Sequence, residues 1–154
     1  MDTKSQFSAW PTPFENQQIE LLEIAFTPVV DWPDSLGQAL KRTSCIIPES
    51  GRGLTIRIAT VSPITAYRVC FEWVSAFRVL DEGALSSLWA RKEATAPSIS
   101  LSSFRIQANE MHPDHWSGLV LQEHWTYFLA TGDDCVEVIT GCEPLVKKEK
   151  VAVE

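Results

Sequence analysis

The chain has 154 residues, 45% of them apolar and 21% charged, the proportions of a folded globular protein and not of a disordered or fibrous one. Thirteen Lys and Arg against 20 Asp and Glu leave a net charge of −7. This deficit of cations argues against nucleic acid or an anionic membrane surface as a direct partner, because binding phosphates draws on a surplus of positive charge. At this length the chain fits a single domain, residues 1–154, able to bury roughly two thirds of its unfolded surface.

Residues 1–16 are mostly polar, with Pro11 and Pro13 flanking Thr12. They read as a loosely held N-terminal arm whose Trp10 and Phe14 pack onto the body or onto a partner. Their start, MDTKSQFSAW, is too polar for a signal peptide, and no apolar run reaches the roughly 18 residues that span a bilayer. A cytoplasmic protein is expected. Ile19–Phe26 fits a helical turn and a strand about equally. Pro28, Pro33 and Pro48 then interrupt regular structure, leaving Ser35–Thr43 as room for a short helix.

From Gly53 onward the pattern is β. Leu54, Ile56 and Ile58 alternate with Thr55, Arg57 and Ala59, as in a half-buried strand. Tyr67, Val69, Phe71 and Trp73 alternate in the same way, and the run continues through Val74, Phe77 and Val79. A strand of that length must bend, and Ser75 and Ala76 are the expected place. Asp81–Arg91 is the best helix candidate: Asp81 can cap it, and Leu85, Leu88 and Trp89 form one apolar stripe. Gly83 weakens its first turn by about 1 kcal/mol relative to Ala. Lys92–Ser98 reads as a loop.

Phe104, Ile106 and Ala108 alternate again, as do Trp125, Tyr127 and Leu129. Gly132-Asp133-Asp134 separates the latter from Cys135–Thr140, a tight-hairpin signature. Residues 147–154 read as a polar tail. The expected fold is α+β and β-rich: a curved, largely antiparallel sheet or flattened barrel of six to seven strands with one or two short helices.

Charge is unevenly placed. Residues 106–146 contain no Lys or Arg but seven acids: Glu110, Asp114, Glu123, Asp133, Asp134, Glu137 and Glu143. The remaining acids balance all 13 cations, so the whole net charge falls in this window. Such a window serves either as a solvated face or as a docking surface that steers a basic partner.

Signals for chemistry are sparse. Cys45, Cys70, Cys135 and Cys142 form no C-x-x-C pair and read as reduced structural thiols, although Cys135 and Cys142 flank one strand closely enough to pair. His112, Asp114, His115 and His124 are the one cluster with metal-ligand character, but an assembled site needs a third or fourth ligand; a surface loop is the simpler reading. There is no G-x-S-x-G elbow, and the GRG at Gly51–Gly53 lacks a phosphate loop's Lys and following helix. Asp81-Glu82 reads as helix capping. No enzyme activity, cofactor or metal is expected.

Six tryptophans are many for this length. Trp73, Trp89 and Trp125 lie on apolar faces and read as core. Trp10, Trp32 and Trp116 lie in polar or Pro-flanked loops, where aromatics serve as interface anchors.

Two stretches, AFRVLDEGALSSLWA (residues 76–90) and HWTYFLATGDDCVEVITGCEP (residues 124–144), resemble a loose group of small bacterial proteins. In that group a strand ending in F-R-x-x-D-E-G precedes a helix with a Trp. A later hairpin reads H-[WY]-x-[IF]-x-T-x-D-x-x-[IV]-E-V. The resemblance covers the chain from Tyr67 on and leaves residues 1–50 aside. Acidic proteins of this kind look like immunity proteins that neutralise the toxin domains of contact-dependent or other polymorphic toxin systems.

The resemblance and the acidic window together imply a cytoplasmic immunity protein that occludes a cognate, basic, nuclease-type toxin. Its acids would stand in for the phosphates the toxin grips. The expected docking residues are Glu110, Asp114, Trp116, Glu123, Asp133 and Asp134. The alternatives are a small β-rich ligand-binding or housekeeping protein, an enzyme with a metal at the His112 loop, and a structural subunit of a larger assembly.

Overall fold

A computed structural model describes residues 7–27, 53–107 and 125–150. Nine strands are found among them: β1 (Phe7–Ala9), β2 (Ile19–Thr27), β3 (Gly53–Val61), β4 (Ile64–Phe71), β5 (Ala76–Asp81), β6 (Ser103–Gln107), β7 (Trp125–Ala130), β8 (Asp134–Thr140) and β9 (Leu145–Lys148). A 3₁₀ turn, Glu82–Leu85, leads into one helix, α1 (Ser86–Thr95).

The strands form two antiparallel sheets, ordered β1-β6-β7-β8-β5 and β2-β3-β4-β9. The fold is β-rich and antiparallel as expected. It is not a closed barrel, however, and its strands outnumber the six or seven expected. The extra strands are short edge segments, β1 and β9, and the product of one split. The run from Tyr67 to Val79 reads as a single bent strand, but Glu72–Ser75 carries the chain from the four-stranded to the five-stranded sheet. The Thr140 hydroxyl donates to the Trp73 carbonyl and the Ser75 N–H to the Ile139 carbonyl, which fixes the crossing. Trp73, read as core, lies at this crossing and is 43% exposed.

Two cores make three layers. Leu54, Ile56, Ile58, Val69 and Phe71 of the four-stranded sheet pack on Tyr127, Leu129, Val136 and Val138 of the five-stranded sheet. On the opposite face of the five-stranded sheet, Leu85 and Leu88 pack on Phe104, Phe128 and Cys135. Because β7 and β8 are covered on both faces, their burial is nearly continuous and their sequences show little alternation. Glu137, in the middle of β8, faces Arg78 of β5 in register and forms an ion pair with it.

Residues 7–16, expected to belong to a loose arm, are packed onto the body. Phe7–Ala9 pairs with Phe104–Ile106, and Trp10 and Phe14 are 4% and 0% exposed inside the inter-sheet core. Polar residues obscure this in the sequence because they occupy the turns between the anchors. Asn16, at φ 58°, turns the chain back into β2 while its N–H donates to the Ser100 hydroxyl. At the other end, Lys147 and Lys148 belong to β9 and are not part of a free tail. Glu149 is held by Arg57 and Arg68 on the outer face of the four-stranded sheet. The Ser35–Thr43 helix expectation lies outside the described residues.

Candidate functional site

One end of the five-stranded sheet gathers the acids. The β7–β8 hairpin turns through Gly132 and Asp133. The Thr131 hydroxyl accepts from the N–H groups of Asp133 and Asp134 at 3.3 and 2.9 Å, so the turn is held through the backbone of both residues. Asp134 is the register partner of Asp81 at the end of β5, and the Glu82 N–H donates to the Asp133 carbonyl at 3.0 Å. Like charges directly opposite each other cost a sheet stability, so Asp81 and Asp134 are not there to strengthen the pairing.

Asp81 caps the 3₁₀ turn as expected. Its carboxylate accepts from the Gly83 N–H at 2.8 Å, and a Cβ at position 83 would stand 3.0 Å from that oxygen. Gly83 thus permits a close cap and does not simply weaken a helix. The helix itself runs past the expected end to Thr95 and draws Lys92, read as loop, onto the core. There the ammonium donates to the Ile99 carbonyl and lies 5.5 Å from the Phe104 ring centroid. Burial lowers the Lys92 pKa from its ordinary value.

Beside this acidic end opens a cleft of about 570 Å³. Glu82, Trp89 and Glu93 form one wall, Thr131 and Gly132 of the hairpin another, and Gln17, Ile19, Leu101 and Ser102 the rest. The walls are braced. The Trp89 Nε1–H donates to the Glu82 carbonyl at 3.0 Å, and the Ser102 hydroxyl donates to the Gln17 carbonyl. Leu101 is 61% exposed at the rim. Among the described residues no Lys or Arg forms an ion pair with Glu82, Glu93, Asp133 or Asp134.

Of the expected docking residues, Asp133 and Asp134 lie at this end. Glu110, Asp114, Trp116 and Glu123 lie outside the described residues, as do His112, His115, His124, Trp32 and Cys45. Trp10 is a core residue and not an interface anchor. The aromatic at the acidic end is Trp89, which its helical spacing placed in the core; its ring meets Phe104 edge-on at 5.8 Å while another part lines the cleft. Glu82 and Glu93 were missed because they precede the acidic window. Glu137, inside that window, is buried and ion-paired and takes no part in the surface.

Chemistry elsewhere is muted. Cys70, Cys135 and Cys142 are free thiols, and burial pushes the Cys135 thiol up, away from its nucleophilic form. No group of three His, Cys, Asp or Glu among the described residues could hold a metal ion. No described helix is long and apolar enough to cross a membrane. The chain matches no family model, no curated protein and no solved structure.

Proposed function

We propose that the protein is an immunity-type binder that acts in the cytoplasm by occluding a basic, nuclease-type toxin domain, with no catalytic activity of its own. The observation that supports this reading is the acidic end. Asp81, Glu82, Asp133 and Asp134 come together from two adjoining turns, with Glu93 lining the same cleft as Glu82 and no described Lys or Arg ion-paired with them. Unneutralised acids around an apolar floor suit a protein partner. The charges steer a basic surface into contact, and the floor supplies desolvated contact area.

The deciding experiment is co-expression with the toxin domain encoded immediately upstream, scored by survival and by co-purification of a stoichiometric complex. Rescue with a complex supports the reading. Survival no better than with an empty vector overturns it.

The cleft volume also falls within the range of small-molecule sites, which favours a ligand-binding protein as the second reading. A small molecule retained through purification and seated at Trp89 would establish that reading instead.

A further inference from the structure

We infer that the cleft seats one arginine side chain presented by the protein partner. Its guanidinium would lie between the carboxylates of Glu82 and Glu93, and its methylene stem against Trp89 and Leu101. This rests on the reading of the chain as a binder of a basic protein, and it names the group the partner must offer.

Charge and shape select the occupant. Glu82 and Glu93 line the same cleft from the 3₁₀ turn and from α1, and both are exposed. An apolar occupant would strip water from two carboxylates and return no hydrogen bond. An anion would add repulsion. A cation answers both carboxylates, and the apolar share of the lining decides which cation. Ammonium is compact and strongly hydrated. Guanidinium is planar and weakly hydrated, can donate to two carboxylates at once, and lays its faces on apolar or aromatic surface.

The cleft is also set in advance. The Glu82 backbone is engaged on both sides, its N–H by Asp133 and its carbonyl by Trp89, so its carboxylate is the group left to bind. Glu93 follows Trp89 by one helical turn and stands on the same face of α1. Binding therefore orders the two glutamate side chains on a backbone that is already held.

The test uses three capped tripeptides as probes, Gly-Arg-Gly, Gly-Lys-Gly and Gly-citrulline-Gly, titrated into the full chain while the Trp89 indole and the Thr131 and Gly132 amides are followed by NMR. The expected result is saturable shifts at these three residues with the arginine peptide and weaker binding of the lysine peptide. Citrulline, the same shape without the charge, should bind at least about tenfold more weakly, in line with loss of a charge-assisted hydrogen bond. The Glu82→Gln/Glu93→Gln double variant should lose at least about tenfold for arginine while keeping the wild-type thermal midpoint, since both side chains are exposed.

Equal affinity for citrulline, or shifts remote from the cleft, would overturn the assignment. The two readings fail separately. A double variant that still neutralises the toxin as wild type does removes the arginine seat and leaves immunity standing. Arginine-selective binding in a chain that binds no upstream toxin does the reverse.

Discussion

Trp10 meets Tyr127 edge-on, with ring centroids 4.9 Å apart, and its other neighbour is Phe71 at 6.4 Å. Tyr127 belongs to the five-stranded sheet and Phe71 to the four-stranded one, so a single indole from the N-terminal segment bridges the two layers. Burial raises the Tyr127 pKa, consistent with a phenol enclosed by this contact. Replacing Trp10 by Ala should cost about 3–5 kcal/mol through lost contact and a residual cavity. The thermal midpoint should fall on the order of 10 °C. Deleting residues 1–15 removes Phe14 as well and should abolish cooperative unfolding, which calorimetry would register as the loss of the transition.

A second prediction concerns Glu137, whose side chain is 3% exposed against Arg78. Glu137→Ala removes a buried charge-assisted bond to Arg78 and should destabilise the protein by about 1.5–3 kcal/mol. Arg78→Ala leaves the same buried carboxylate without this partner and should also be destabilising. Replacing the pair together with Met and Leu should be far milder than the sum of the single changes, as a double-mutant cycle in urea would measure.

These two cases also explain what was legible in the sequence. Alternation located β3 and the Tyr67–Phe71 part of β4; in β3, Leu54, Ile56 and Ile58 face one core while Arg57 lies on the opposite face. The Gly132-Asp133-Asp134 hairpin was readable because its turn chemistry is local. The N-terminal segment was not. Trp10 and Phe14 are held by aromatic partners more than 50 positions away, and the polar residues between them serve turns that exist only once those partners are in place. The crossing after Phe71 was hidden for a related reason: apolar alternation persists through Trp73 although the strand has ended. The acidic end was half legible. Asp133 and Asp134 declared themselves by lying in a cation-free stretch. Glu82 and Glu93 are separated from them in sequence by about 40 to 50 residues and reach the same end through the β5–β8 pairing.

The third prediction follows from Glu149. Its carboxylate is hydrogen-bonded first to Arg57, at 2.9 Å through each oxygen, and then to Arg68 at 3.1 Å. These bonds hold its pKa below the ordinary carboxylate value. A depressed folded pKa means stability that is present above the unfolded value and lost as pH falls through the folded one. Glu149→Gln should therefore lower the thermal midpoint by a few degrees above about pH 5, and the gap to wild type should close toward about pH 3. Since β9 is an edge strand paired with β4 among the described residues, local opening of residues 147–149, read by hydrogen exchange, should rise in the variant before global stability changes.

The last prediction takes the acidic end as a steering surface. Asp133 is exposed at the tip of a hairpin whose backbone is tied by Thr131, so Asp133→Lys should leave the fold and its thermal midpoint intact. If a basic toxin domain docks here, the reversed charge acts at a distance on encounter. Association should slow about tenfold at low salt, while dissociation changes little. Raising ionic strength from about 0.01 to 0.15 M shrinks the screening length from about 30 to 8 Å, so the wild-type rate should fall steeply and that of the variant barely. Trp89→Ala acts through contact and should raise the dissociation rate at every salt concentration. Stopped-flow mixing with the upstream-encoded toxin domain separates the two effects. An association rate indifferent both to salt and to Asp133→Lys would reduce the acidic end to a solvated surface, because exposed charges that fail to steer a basic partner serve solubility alone.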